Sequence, residues 1–230
     1  MAKRRIFFPT DHDSPELFHE EFVEFEWIPG LAISQGRKSV INLHNAAKDN
    51  LGISKILEIS TRSNSVLGLK LSAFNLAKLI GDEKYSVESI YQSSKVFELG
   101  GPFTDLINVS SLEAKTDRRL KDSGKLVGHK FEDEIWPLSS NPNFYDFIYI
   151  SAVLEFHERQ EILGYEAFTD IAYSQITLND KPGRSFNCQA RSAAIYVSLA
   201  NRFPENEILL ELEKYARREK PIHEQINLFD

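Results

Sequence analysis

A chain of 230 residues, 42% apolar and 11% aromatic, can bury a sizeable core and falls in the range of one large domain or two small ones. Its formal net charge of −7 argues against a protein that wraps nucleic acid, because such affinity comes mainly from neutralising phosphates with Lys and Arg, so any nucleic-acid contact must be local. The single cysteine, Cys188, excludes an internal disulfide and a cysteine-pair metal site, and no stretch approaches the roughly 20 apolar residues of a membrane span.

Met1-Ala2-Lys3-Arg4-Arg5 leads into Ile6-Phe7-Phe8-Pro9, too short for a signal h-region, so a cytoplasmic chain is expected. Residues Phe22 to Trp27 alternate, with Val23, Phe25 and Trp27 on one face and Glu24 and Glu26 on the other, and predict a strand that Pro29-Gly30 breaks. Ile56 to Ser60 predicts a second, shorter strand with Leu57 and Ile59 pointing one way. Tyr85 to Phe97 reads as a helix that Ser86 caps and Gly100-Gly101 ends. Phe144, Phe147, Ile148, Ser151 and Leu154 fall at helical spacing. Ala190 to Ala200 reads as another helix, with Ser185 or Asn187 as its cap, and Asn206 caps a last one with the stripe Leu209, Leu212 and Ala216. These stripes read as core-packing faces. With no internal repeat, low-complexity tract or long linker, the chain is expected to be one α+β domain, α-rich, with a small β-sheet. The basic clusters Lys3-Arg4-Arg5, Lys115 to Lys121 and Arg217-Arg218 read as solvated faces.

The helix at 85–97 is the most informative segment. Positions 88, 92 and 95 are i, i+4 and i+7, so Glu88, Gln92 and Lys95 share one face, while Ile90 and Phe97 project elsewhere. A solvated polar stripe is the plain alternative. The dipole at the helix start favours negative charge at Glu88, which suits stabilising a cationic sugar or positioning water. Asp170 is a second candidate, an acidic residue among apolar neighbours, for which a turn or cap role is the plain alternative. Two carboxylates flanking a glycosidic bond are the familiar arrangement for hydrolysis through an oxocarbenium-like state. The six histidines show no zinc-site spacing, and no nucleophile elbow, P-loop or dinucleotide fingerprint occurs. Gly100-Gly101-Pro102 offers backbone amides to a phosphate, or simply stops a helix.

Leu71-Ser72-Ala73-Phe74-Asn75, followed by Val87-Glu88, Tyr91-Gln92 and Lys95, resembles the pattern of the NADAR family, in which an S-N-F-like motif precedes a V-E-x-x-x-Q-x-x-K helix. Ala73 stands where that motif has Asn. Phe168-Thr169-Asp170 and Asn187-Cys188-Gln189-Ala190 are similar to the family's second acidic motif and its following Asn-bearing helix. Leu57-Glu58-Ile59-Ser60, Gly100 to Leu106, and Phe144-Tyr145-Asp146 resemble the branch paired with DarT-type ADP-ribosyltransferase toxins.

The resemblance implies a single YbiA-like (NADAR) domain over residues 22–200, an N-terminal extension at 1–21, and a C-terminal helix and tail at 201–230 packed on the same domain. It implies an N-glycosidase that removes ADP-ribose from guanine in DNA or RNA, as antitoxin to an ADP-ribosyltransferase, with no metal, no cofactor and no membrane partner. Glu88 and Asp170 carry over as catalytic residues. Ser72, Phe74, Asn75, Gln92, Lys95, Gly100, Gly101, Tyr145 and Asn187 are the expected substrate-binding set. Lys95 positions the ribose or base, or forms a transient imine with an opened sugar. The alternatives are an N-glycosidase of riboflavin-pathway aminopyrimidine ribosides and an antitoxin that blocks its toxin by binding alone.

Overall fold

The computed structural model describes residues 1–138, 143–172 and 188–218. The chain opens with strands β1 (Ala2–Phe8) and β2 (His19–Phe25), helix α1 (Ile33–Leu51), strand β3 (Ile56–Glu58) and helix α2 (Val66–Lys70). A hairpin of β4 (Ala77–Ile80) and β5 (Glu83–Ser86) runs into α3 (Val87–Ser93) and β6 (Lys95–Phe97). Short helices α4 (Ser111–Thr116) and α5 (Arg119–Asp122) precede strands β7 (Leu126–Phe131) and β8 (Glu134–Pro137). Helix α6 (Phe144–Glu155), strand β9 (Ala167–Thr169), and helices α7 (Gln189–Ala200) and α8 (Ile208–Arg218) complete it. The fold is α+β.

The main sheet has the order β2-β1-β9-β3, with β3 and β9 parallel and the other pairs antiparallel. Period-two alternation sends its side chains into two cores. Ile6 and Ala167 join Val23, Phe25 and the α1 residues Val40, Leu43 and Ala47, while Phe7, Leu57 and Phe168 join the larger core around α6 and α7. The sheet is therefore covered on both faces. Residues 1–21, expected as an extension, instead supply β1, an inner strand whose Ile6 and Phe7 are fully buried. Each such side chain contributes about 1.5–3 kcal/mol on burial, so this strand is part of the sheet's stability.

Helix α6 is buried almost all round, with Phe144, Ile148, Tyr149, Ile150, Ala152 and Val153 in the core. Its start is a capping box, Asn143 Oδ1 accepting from the Asp146 amide at 3.1 Å and Asp146 Oδ2 accepting from the Asn143 amide at 2.9 Å. Asp146 also accepts from Arg191 at 2.8 Å and Ser192 Oγ at 2.7 Å, which locks α6 to α7 through a buried ion pair. Helix α7 starts after Cys188, while Ser185 and Asn187, the caps expected for it, lie outside the described residues. The last helix begins at Ile208 after a 3-10 turn at Glu205–Glu207, so Asn206 is inside that turn rather than at the cap; of its expected stripe, Leu212 and Ala216 are buried and Leu209 is half-buried.

Candidate functional site

Ser86 caps α3, its Oγ accepting from the Ser89 amide at 3.0 Å, as the sequence predicts. The helix is one turn shorter than expected, ending at Ser93, and Lys95 is the first residue of β6. The reason is tertiary: strand pairing with β7, Lys95 opposite His129, claims the residues that would have continued the helix. Every residue of α3 is buried, so its polar face is not a solvated stripe. The amides of Val87 and Glu88 donate to the carbonyls of Leu76 and Ala73 at 2.9 and 3.0 Å, which sets the helix start against the 72–76 turn.

A cavity of about 410 Å³ brings together Glu88, Gln92, Lys95, Phe74, Tyr145 and Asp170. These residues come from α3, β6, the 72–76 turn, α6 and the end of β9, so two carboxyl groups from distant chain segments face one space. Gln92 Nε2 donates to Glu88 Oε1 at 2.8 Å, and Gln92 Oε1 is buried with no hydrogen-bond partner among the described residues. Burial lowers the Lys95 ammonium to about 8, with Glu88 opposing and Lys115 adding to the shift. Lys95 Nζ sits 4.7 Å over the Tyr91 ring, and Tyr91 meets Tyr145 edge to face at 5.2 Å. Burial, then the charge of Glu88, raises the Tyr145 hydroxyl well above its ordinary range, so it stays neutral. Asp170 Oδ1 accepts from the Ala172 amide at 3.1 Å.

The other described candidates, Ser72, Asn75, Gly100 and Gly101, do not line this cavity. Ser72 is buried, and its carbonyl accepts from the Asn75 and Leu76 amides, each at 2.7 Å. Asn75 is exposed and donates to the Leu69 carbonyl at 2.7 Å. Gly100 pairs with Phe97 in an isolated bridge. Gly101 has φ +87°, and a Cβ there would stand 2.4 Å from the Lys95 carbonyl oxygen. It therefore lets the turn pack under β6, behind Lys95, a role only glycine fills there. Asn187 lies outside the described residues.

Sequence reasoning missed Lys115, which lines the cavity with its Nζ 3.6 Å from Glu88 Oε1 and 5.0 Å above the Phe74 ring. It had been read as part of a solvated basic cluster; the neighbouring Arg119 is instead paired with Asp105 and Asp117. Gln189 was also passed over: its Oε1 accepts from the Ala73 amide at 2.7 Å, tying α7 to the turn beneath α3. Its place in Asn187-Cys188-Gln189 was the available signal. Arg4 and Arg5 are not a solvated face either, because Arg4 reaches the Ile171 carbonyl and Arg5 pairs with Glu20 at 3.4 Å. The side chains of Arg217 and Arg218 lie outside the described residues.

Among the described residues, no group of three or more His, Cys, Asp or Glu is gathered as a metal site, and no helix is long and apolar enough to cross a membrane. No curated protein matches the chain. A family model described as DarT1-associated NADAR antitoxin matches residues 2–225.

Proposed function

The chain belongs to the family of DarT1-associated NADAR antitoxins, and from that premise we propose that it is an N-glycosidase that hydrolyses ADP-ribose from guanine bases in nucleic acid. The observation that carries this is the cavity in which Glu88 and Asp170, from separate segments, face the same space beside Gln92 and Lys95. The bond broken joins the ribose anomeric carbon to a guanine nitrogen. Glu88 stabilises positive charge developing on the ribose or orients the attacking water, and Asp170 assists proton transfer. Gln92 and Lys95 position ribose or base, and the rings of Phe74 and Tyr145 offer flat apolar surface to it. Water supplies the hydroxyl that ends on the anomeric carbon, and guanine leaves with the proton. The reaction needs no metal, releases ADP-ribose and takes place in the cytoplasm, where it reverses the work of an ADP-ribosyltransferase toxin. Incubation of the protein with an oligonucleotide bearing one ADP-ribosylated guanine tests this directly. Free ADP-ribose and an unmodified oligonucleotide should appear in equal amounts over many turnovers; a stoichiometric complex with the toxin and no release would reject it.

A further inference from the structure

The mechanism above makes no use of the buried carboxyl of Glu58. This residue ends β3 and faces β9, the strand that leads into Asp170. Its Oε1 accepts from Ser60 Oγ at 2.6 Å and from the Ile171 amide at 2.9 Å, and its Oε2 lies 2.6 Å from Thr169 Oγ1. Thr169 and Ile171 flank Asp170, so one carboxyl grips the chain on both sides of it. Arg4 completes the grip, its Nε donating to the Ile171 carbonyl at 3.1 Å, so both backbone groups of Ile171 are held.

Thr169 Oγ1 also lies 2.8 Å from His44 Nε2, and His44 lines a second cavity of about 340 Å³ together with Lys48 and Glu58. These contacts decide where a proton on Glu58 sits. Two donors occupy Oε1, so the proton belongs on Oε2, donated to Thr169 Oγ1, whose own hydrogen then goes to His44 Nε2. That nitrogen can accept, because burial, with Lys48 adding to it, lowers His44 to about 4 and keeps the ring neutral. The charged or titratable groups around Glu58 are Asp170 just after β9, Arg4 on β1, His44 with Lys48 on α1, and Tyr165, which lines the same second cavity. Burial, reinforced by the charge of Asp170, pushes Glu58 up to about 8 against the pull of its hydrogen bonds to Ser60, Thr169 and Ile171.

We propose that Glu58, carrying its proton, is the positioning residue for Asp170: it fixes the backbone on both sides of that residue and adds no second negative charge beside it. The positioning role rests on the glycosidase reading; the protonated state does not. Glu58→Gln reproduces the protonated carboxyl, with Oε1 accepting from Ser60 and Ile171 and Nε2 donating to Thr169, whereas Glu58→Leu fills the space without gripping. At pH 7, Glu58→Leu should lower kcat on ADP-ribosylated guanine by roughly tenfold or more, and Glu58→Gln should recover most of that loss. Above about pH 8 the wild-type log kcat should fall with a slope approaching two, as Glu58 and Lys95 both lose protons, and the Gln variant with a slope of one.

Thermal unfolding needs no substrate. A carboxyl raised from 4.5 to about 8 on folding contributes stability that is full below 4.5 and is lost as pH rises to about 8, and Glu58→Gln should flatten that part of the stability curve. Parallel curves for wild type and the Gln variant, or a Gln variant as impaired as the Leu one, would overturn the proposal. If the Leu variant does not fold, the slope and stability curve of the Gln variant decide it. A wild-type curve that Glu58→Gln flattens, in a protein that turns nothing over, would support the protonated Glu58 while rejecting the glycosidase.

Discussion

Gln92 Nε2 donates to Glu88 Oε1 at 2.8 Å, one helical turn back, so the amide has one orientation. Flipped, it would set two acceptors against each other, because a carboxylate oxygen offers no hydrogen. Glu88→Gln thus removes a charge and also frees its neighbour, since an amide can face Gln92 as donor or acceptor. We expect Glu88→Gln and Asp170→Asn each to lower turnover of ADP-ribosylated guanine by about 10²–10⁴-fold, the range for groups that stabilise charge or move protons in the transition state. Both keep the shape of the residue they replace, so melting temperatures should move by only a few degrees. Wild-type rates in both folded variants would remove these carboxyls from the mechanism.

Chelators should leave activity intact. The carboxyl groups of the cavity lie beside the ammonium groups of Lys95 and Lys115, which compete with a bound cation. The measurement is turnover after EDTA treatment and after adding back single divalent ions. Loss restored by one of them would replace the carboxylate mechanism with a metal-assisted one.

The buried pair of Asp146 and Arg191 joins α6 to α7, which carry Tyr145 and Gln189 into the cavity. Asp146→Ala leaves the Arg191 charge and the Ser192 hydroxyl without that partner and should destabilise the protein by about 3–5 kcal/mol. Denaturant unfolding measures it. A loss below about 1 kcal/mol would show that solvent or other groups take over the role of Asp146.

Much of this was legible in the sequence because it is local. The Ser86 cap, the α6 and α7 stripes, β3 and the alternation in β2 all follow from spacing within a few residues. Helix α1 was not read, because its buried positions Gly36, Ser39, Val40, Leu43 and Ala47 include few large apolar side chains. Strand β1 was hidden by Lys3-Arg4-Arg5, whose charges look solvated until Glu20, Phe22 and Ile171 are placed beside them. Glu58 and Asp146 stood out only within motifs that resemble the toxin-paired branch, with no role attached, and Arg191 not at all, since a buried ionisable group is explained by partners far away in the chain.

The Lys95 ammonium, lowered to about 8, supplies a pH dependence. If the charged form positions substrate, activity should fall as pH rises through about 8, and Lys95→Arg, which stays protonated, should remove that contribution even where it lowers the plateau. The sign for stability is the opposite. The unfolded chain holds this proton up to about 10.5, so wild-type stability should gain between about 8 and 10.5, and Lys95→Met should lack that gain. Identical stability curves across that range would reject a depressed lysine.

Under the proposed function, the protein should grip the modified nucleotide itself and make few contacts to flanking phosphates. The net charge is −7, and Arg5 and Arg119 already pair with Glu20, Asp105 and Asp117, which argues against an extended basic track. Affinity for a single strand falls with log salt at a slope near −0.7Z, so one or two phosphate contacts predict a shallow slope that does not grow with oligonucleotide length. A steep slope that increases with length would reveal an extended basic track.

Strand β1 sits between β2 and β9, so residues 2–8 cannot be enclosed until residues 167–169 exist. On a ribosome adding about 5–20 residues/s, the first strand waits roughly 8–30 s for its second neighbour. A nascent chain halted before that point lacks both the closed sheet and Asp170, so partial translation products should be inactive under the proposed mechanism. A pause late in the message would then delay closure of the sheet without changing a single residue.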